Sequence, residues 1–289
     1  MLKISAIIPA YNEAENIGLV VGGLRALRNP CGLSLVHEVV VADNNSNDGT
    51  ASIARQHGAR VVHVAQKGYG NACAVACQHA TGDVLLFVDG DHTADLAQAS
   101  LLVDAIAQGA DLAIGVRTHA ARGSLTLPQR FGNFLACFLI RMIWSAPVMD
   151  LGPFRAIRRP AYERIGMRDR SFGWTVEMQI RAIQLDLLTR EIAVSWFARH
   201  AGTSKVSGTV NGVIGAGAGI LSMIARLWWR ERRVIRHLQK NASPSTTGDL
   251  PTGQVPLPIT TPAGLFQIRS NEWSFQKNTH WLSVCWRSQ

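Results

Sequence analysis

Glu38-Val39-Val40-Val41-Ala42-Asp43-Asn44-Asn45-Ser46-Asn47-Asp48-Gly49-Thr50 decides the fold. The valine-rich stretch over 36–42 lacks polar alternation, as expected of a strand covered on both faces. A polar turn follows, and Asp48 stands where a side chain caps a helix over 50–57. The same unit recurs on either side. Residues 4–9 read as a first strand, then Asn12 and Glu15 stand at capping-box spacing. Ile17, Val21, Leu24 and Leu27 continue at helical spacing, burying one face. Further strands are predicted over 59–64, 84–88 and 111–115, with helices over 70–80 and 96–108. This rhythm predicts an α/β fold with a doubly wound, mostly parallel sheet.

Such sheets bind ligands beyond the carboxyl ends of their strands. The polar clusters of this chain stand there: Tyr11-Asn12-Glu13, Asp43-Asn44-Asn45, Lys67-Gly68 and Asp89-Gly90-Asp91. Two carboxylates one residue apart at a strand end offer hard oxygen ligands to Mg²⁺ or Mn²⁺, although a plain Asp-Gly turn reads equally well. Asp43, ending a buried strand, can accept hydrogen bonds from a nucleobase. Lys67-Gly68-Tyr69-Gly70-Asn71 places amides at a helix start, suited to phosphate or simply to a tight turn.

The 289 residues, 47% hydrophobic and 17% charged, suffice for one large α/β domain with appendages or for two small domains. A net charge of +9 favours an anionic partner, whether nucleic acid, an acidic membrane surface or phosphorylated small molecules. No aromatic-interleaved basic strand or recognition helix supports nucleic acid, which is not expected as a partner. Five scattered cysteines predict reduced thiols in a cytosolic compartment, not a disulfide scaffold. The N-terminus reads as a strand rather than an export signal, and the histidines show no metal-ligand spacing.

Taken together, 8–13, 41–50, 68–71 and 89–91 resemble family 2 glycosyltransferases in order and spacing, most nearly the dolichol- and polyprenyl-phosphate sugar synthase branch. The likeness continues through Gly115-Val116-Arg117, Asp150-Leu151-Gly152-Pro153-Phe154-Arg155, 172–177 and 202–208, so it covers roughly 3–208. It implies a GT-A (nucleotide-diphospho-sugar transferase) fold and a metal-dependent, inverting transfer from a UDP- or GDP-linked sugar. Pro9, Tyr11, Glu13, Asp43, Lys67 and Asp89 would bind the donor, and Asp89 and Asp91 the metal, Mg²⁺ or Mn²⁺. Arg117, Arg130, Arg199 and Lys205 would face the diphosphate or an anionic acceptor. In two places the chain departs from the pattern. Asn44 replaces a frequent acidic residue, and Thr93, beside His92, replaces a glutamine, which leaves the third metal ligand open.

A sugar hydroxyl as acceptor needs a general base, for which Asp150 and Glu177 are the candidates. A lipid phosphate instead needs cations, and the set Arg117, Arg130, Arg155, Arg199 and Lys205 favours that acceptor. Arg155, Trp174, Arg199 and Lys205 are accordingly the expected acceptor-binding residues, with Asp150, Glu177, Arg117 and Arg130 catalytic. The structural alternatives are a core Trp174 and an Arg155 paired with Asp150 or Glu163.

Residues 209–229 are largely apolar and glycine-rich, ending in Trp228-Trp229, and a basic run over 230–236 follows; the segment 209–240 is expected to lie on an anionic membrane surface or to span it. That places the protein peripherally at the cytoplasmic face. Residues 241–289 read as a low-order tail. Competing functions are a nucleotidyltransferase, which lacks its glycine- and arginine-rich loop here, and a catalytically silent sugar-nucleotide or lipid-binding module.

Overall fold

The computed structural model describes residues 2–121, 124–202 and 210–241. Strand β1 (Ile4–Ala10) lies inside the sheet, with β2 (Glu38–Asp43) and β4 (Val84–Phe87) parallel on its two sides. Strand β3 (Arg60–His63) continues the parallel set beyond β2. Helices α1 (Ala14–Ala26), α2 (Thr50–Gln56) and α3 (Tyr69–His79) make the first connections. A 3₁₀ turn at Leu96–Gln98 leads into α4 (Ala99–Ala107), which precedes β5 (Leu112–Ala120).

The second half supplies the elements whose pattern the sequence conceals. Strand β6 (Arg155–Arg158) inserts antiparallel between β4 and β5, and β7 (Thr189–Trp196) runs parallel to β5 at the edge. The seven strands stand in the order β3-β2-β1-β4-β6-β5-β7. Helices α5 (Leu127–Trp144), α6 (Arg159–Ile165), α7 (Trp174–Gln184) and α8 (Val210–Asn241) complete the described fold.

One face of the sheet packs on Ile17, Val20 and Leu24 of α1 and Leu102 and Ile106 of α4. The other packs on α3 and α7, where Ala72, Cys73 and Ala76 are small enough to let α3 lie close to the strands. A separate cluster joins α5, α7 and α8 through Cys137, Ile140, Ile180, Met223, Ile224 and Leu227. Among the described residues no helix is long and apolar enough to cross a membrane.

Two local expectations are corrected. Asn12 adopts a left-handed φ of 53° and its Oδ1 accepts from the Asn47 amide, so it does not cap α1 with Glu15. Asp48 fastens two helix starts at once: Oδ2 accepts from the Ala14 amide, and Oδ1 from the Thr50 amide. Gly49, at φ 87°, takes the cap position of α2 itself. Cys31, Cys73, Cys77 and Cys137 are free thiols, while Cys285 lies outside the described residues.

Candidate active site

The carboxyl ends of β1 and β4, the start of α3 and the first turn of α5 surround a cavity of about 720 Å³. Its walls carry Pro9, Tyr11, Glu13, Lys67, Asp89, Asp91, Arg117 and Arg199, eight of the residues singled out in the sequence. On one side Lys67 donates to the Tyr11 hydroxyl at 2.9 Å and lies 4.5 Å from its ring centroid. This pair gives a cation backed by an aromatic face, a fit for a base or a phosphate. Asp43 stands behind that wall rather than in it. One of its oxygens accepts from the Ser46 amide at 3.3 Å and the other lies 3.8 Å from His63 Nδ1.

On the cavity floor Asp89 accepts from the Tyr69 hydroxyl at 3.0 Å. Burial, and next the charge of Asp91, push its carboxyl up to about 7. Asp91 Oδ1 accepts from Thr93 Oγ1 at 2.6 Å, and its Oδ2 from Arg199 Nη2 at 3.0 Å. Arg199 Nη1 reaches both Glu13 oxygens at 2.8 Å. Thr93, where the family branch has glutamine, therefore orients the Asp91 carboxylate.

This floor fits a divalent cation. Asp89 and Asp91 both line the cavity, and burial beside Asp91 disfavours the charge on Asp89 despite Arg117 and Arg199 nearby. No group of three or more His, Cys, Asp or Glu ligands gathers among the described residues. Two carboxylates suit a cation that takes its other oxygens from a bound diphosphate.

Arg117 lines the cavity but spends three donors on Asp150: its backbone amide at 2.9 Å, Nε at 2.8 Å and Nη2 at 2.5 Å. Burial alone would raise the Asp150 carboxyl, yet the hydrogen bonds and charge of Arg117 hold it below the usual range. Its role here is to position Arg117, which lies 5.6 Å from the Trp196 ring centroid.

Three expected site residues are instead structural. Glu177, 3% exposed, accepts from the Arg168 and Asp169 amides at 2.9 and 2.7 Å. Trp174, 1% exposed, packs on Phe87 and Tyr162. Arg155, 1% exposed, donates to the Gly152 and Thr175 carbonyls at 2.6 and 2.7 Å. Burial draws its guanidinium down to about 10. In each case a side chain that closes the loops around the site had the composition of one that faces substrate. Arg130 is exposed on α5 outside the cavity wall, and Lys205 lies outside the described residues.

The glycines of 68–70 serve packing rather than a phosphate cradle. A Cβ on Gly68 would collide with the Arg170 carbonyl, and one on Gly70 would lie 2.6 Å from the Asp169 carbonyl. The amides of Gly70 and Asn71 donate to the Ser171 and Arg170 carbonyls. Asn44 explains its own departure from the family pattern. Its amide donates to the Val64 and Gln66 carbonyls and its Oδ1 accepts from the Gly68 amide, so a carboxylate would lose both donations. Sequence reasoning missed Tyr69, Phe172, Trp196, Thr126 and Gln129, all of which line the cavity. Tyr69 had a signal, being set between the two glycines; Phe172 had only its place in the family-like stretch 172–177.

The model of glycosyl transferase family 2 matches residues 5–166 of this chain. The chain is a family 2 glycosyl transferase. An uncharacterized glycosyltransferase of Mycobacterium tuberculosis is 33% identical over 211 residues, 73% of this chain and 93% of that one. Glycosyltransferase AglJ of Haloferax volcanii is 29% identical over 198 residues, 68% of this chain and 63% of its own. Among solved structures, glucosyl-3-phosphoglycerate synthase of M. tuberculosis, in complex with Mn²⁺, uridine diphosphate and glucosyl-3-phosphoglycerate, matches with a TM-score of 0.61 at 20% identity. It covers 78% of this glycosyltransferase and 80% of that chain. Mannosyl-3-phosphoglycerate synthase of Rubrobacter xylanophilus matches with a TM-score of 0.64 at 19% identity, covering 80% and 75%. These likenesses show the GT-A fold of the family.

Proposed function

We propose that this glycosyltransferase transfers a sugar from a UDP-linked donor to a phosphate-bearing acceptor, with inversion at the anomeric carbon. The observation that carries the reading is the pairing of Asp89 and Asp91 on the floor of a cavity walled by Tyr11, Lys67, Arg117 and Arg199. Mn²⁺ or Mg²⁺ held by these two carboxylates would supply charge to the departing diphosphate. Its support from relatives is the synthase solved with Mn²⁺ and uridine diphosphate.

Pro9, Tyr11 and Lys67 line the side suited to the nucleotide, and Arg117 and Arg199 face the centre of charge. An acceptor oxygen attacks the anomeric carbon as the bond from that carbon to the diphosphate oxygen breaks, and UDP leaves with the electron pair. The chain's part is to hold the two partners in line and to place cations where charge develops.

The acceptor is argued from the carboxylates. Of the two candidate bases, Asp150 is held by Arg117 and Glu177 by two backbone amides, and neither lines the cavity. A hydroxyl acceptor would need such a base; a phosphate brings its own negative oxygen. A polyprenyl-phosphate acceptor has that chemistry; phosphoglyceric acid, bound in the M. tuberculosis synthase, shares the phosphate but carries a hydroxyl as its nucleophile, so there the phosphate would serve recognition. The test is a transfer assay with radiolabelled UDP-sugars and Mn²⁺, offering phosphorylated acceptors beside their dephosphorylated counterparts. Transfer to the phosphorylated compound alone is expected, and transfer to both equally would remove the phosphate from the reading.

A further inference from the structure

Helix α5 buries one side, through Ala136, Cys137 and Ile140, and leaves its opposite side apolar. Leu127, Phe131, Phe134, Phe138 and Met142 are exposed by 80, 66, 66, 47 and 67%. At 100° per residue these positions fall within an arc of about 80°. The rings of Phe134 and Phe138 stack 6.4 Å apart, so the stripe is continuous. Arg130 and Arg141, both exposed, fall along one edge of it. The stripe starts beside the site, because Ser124, Leu125, Thr126 and Gln129 at the head of α5 line the cavity.

Helix α8 packs against the buried side of α5 through Met223, Ile224 and Leu227. Its exposed Arg226, Trp229, Arg230 and Arg233 stand at i, i+3, i+4 and i+7, one face of the helix. Aromatic and aliphatic groups bordered by guanidinium groups are the composition of a helix seated in a headgroup layer.

We infer that the α5 stripe is a docking surface for an anionic bilayer, with the Arg226–Arg233 face of α8 supplying further attraction, so that acceptors enter the cavity from the lipid side. The entry of an acceptor rests on the glycosyl-transfer reading; the surface itself does not. A net charge of +9 complements an anionic leaflet. A second copy of the chain fits less well, because pairing the stripe with itself would bring Arg130 and Arg141 toward their own counterparts.

The test uses the full chain and sedimentation with vesicles of phosphatidylglycerol and phosphatidylcholine, or of phosphatidylcholine alone. Binding to the anionic vesicles is expected. The variant F131S/F134S/F138S should lose about a hundredfold in partition, and F131L/F134L/F138L should keep most of it. R230E/R233E should lose about tenfold on anionic vesicles and little on neutral ones. Calorimetric UDP binding with Mn²⁺ is measured on every variant and should not change, which shows each to be folded. A native chain that binds UDP but no vesicle overturns the bilayer surface and leaves the donor site standing. Vesicle binding without UDP binding overturns the donor site alone. If the serine variant binds vesicles normally, or if the stripe substitutions convert a dimer to a monomer on sizing columns without changing vesicle binding, the stripe is not a bilayer surface.

Discussion

Arg199 donates from Nη2 to Asp91 Oδ2 at 3.0 Å while its Nη1 contacts Glu13, so one guanidinium ties the start of α1 to the carboxylate proposed to hold metal. Without that cation, Glu13 and Asp91 would be two poorly solvated negative charges facing one cavity. Arg199→Gln should therefore lower the melting temperature in metal-free buffer. Mn²⁺ should raise the melting temperature of this variant by more than it raises that of the native protein, because metal replaces the missing charge. Equal shifts in differential scanning fluorimetry would separate Arg199 from the metal floor.

Asp150 should matter through Arg117 rather than as a proton acceptor. Breaking so buried a pair costs about 3 kcal/mol, and Asp150→Asn should lose stability on that order in denaturant titration. The pH sign follows from the depressed carboxyl. Its folded value lies below the unfolded one of about 3.9, so the stabilisation is present above that pH and is lost as pH falls through the folded value. Acid unfolding of Asp150→Asn should consequently show a shallower loss of stability below pH ~4 than the native chain. A kcat that merely lost its acidic limb, with stability unchanged, would restore Asp150 as the base.

The two aromatics of 172–174 should separate cleanly. Trp174→Ala opens the core beneath α7 and should cost about 3–5 kcal/mol, with activity falling only as the folded fraction falls. Phe172→Ala should leave stability within about 0.5 kcal/mol and alter KM, since its ring lines the cavity. Chemical denaturation alongside steady-state kinetics on both variants checks the pair.

Gly68→Ala should destabilise by more than about 2 kcal/mol, because φ is 147° and the new methyl would meet the Arg170 carbonyl. Gly132→Ala, in the interior of α5 with nothing within 4 Å, should instead stabilise by about 0.5–1 kcal/mol. Urea midpoints of the two variants should move in opposite directions.

The first half of the fold was legible because each parallel strand is a short, mostly apolar run closed by a polar turn, as in Val39–Val41 before Asp43. The cavity was legible for the same reason: strand ends and site coincide, which brought Tyr11, Asp89 and Asp91 forward. The second half concealed β6, whose Arg155 and Arg158 break an apolar pattern while donating to the carbonyls of Gly152 and Ala110. Arg155, Trp174 and Glu177 misled because burial is a tertiary property. A buried guanidinium, indole or carboxylate has the same composition as one that meets substrate. The α5 stripe was not legible, since helical spacing of Phe131, Phe134 and Phe138 does not say which side of the helix the fold buries.

The central claim is that Asp91 holds a cation which in turn holds a nucleoside diphosphate. The most direct measurement is calorimetric titration of UDP into the native protein and Asp91→Asn, each with and without Mn²⁺. The account predicts Mn²⁺-dependent UDP binding by the native chain, weakened at least about a hundredfold in Asp91→Asn with the melting temperature preserved. Equal UDP affinity in the two proteins, or native binding indifferent to Mn²⁺, would contradict it.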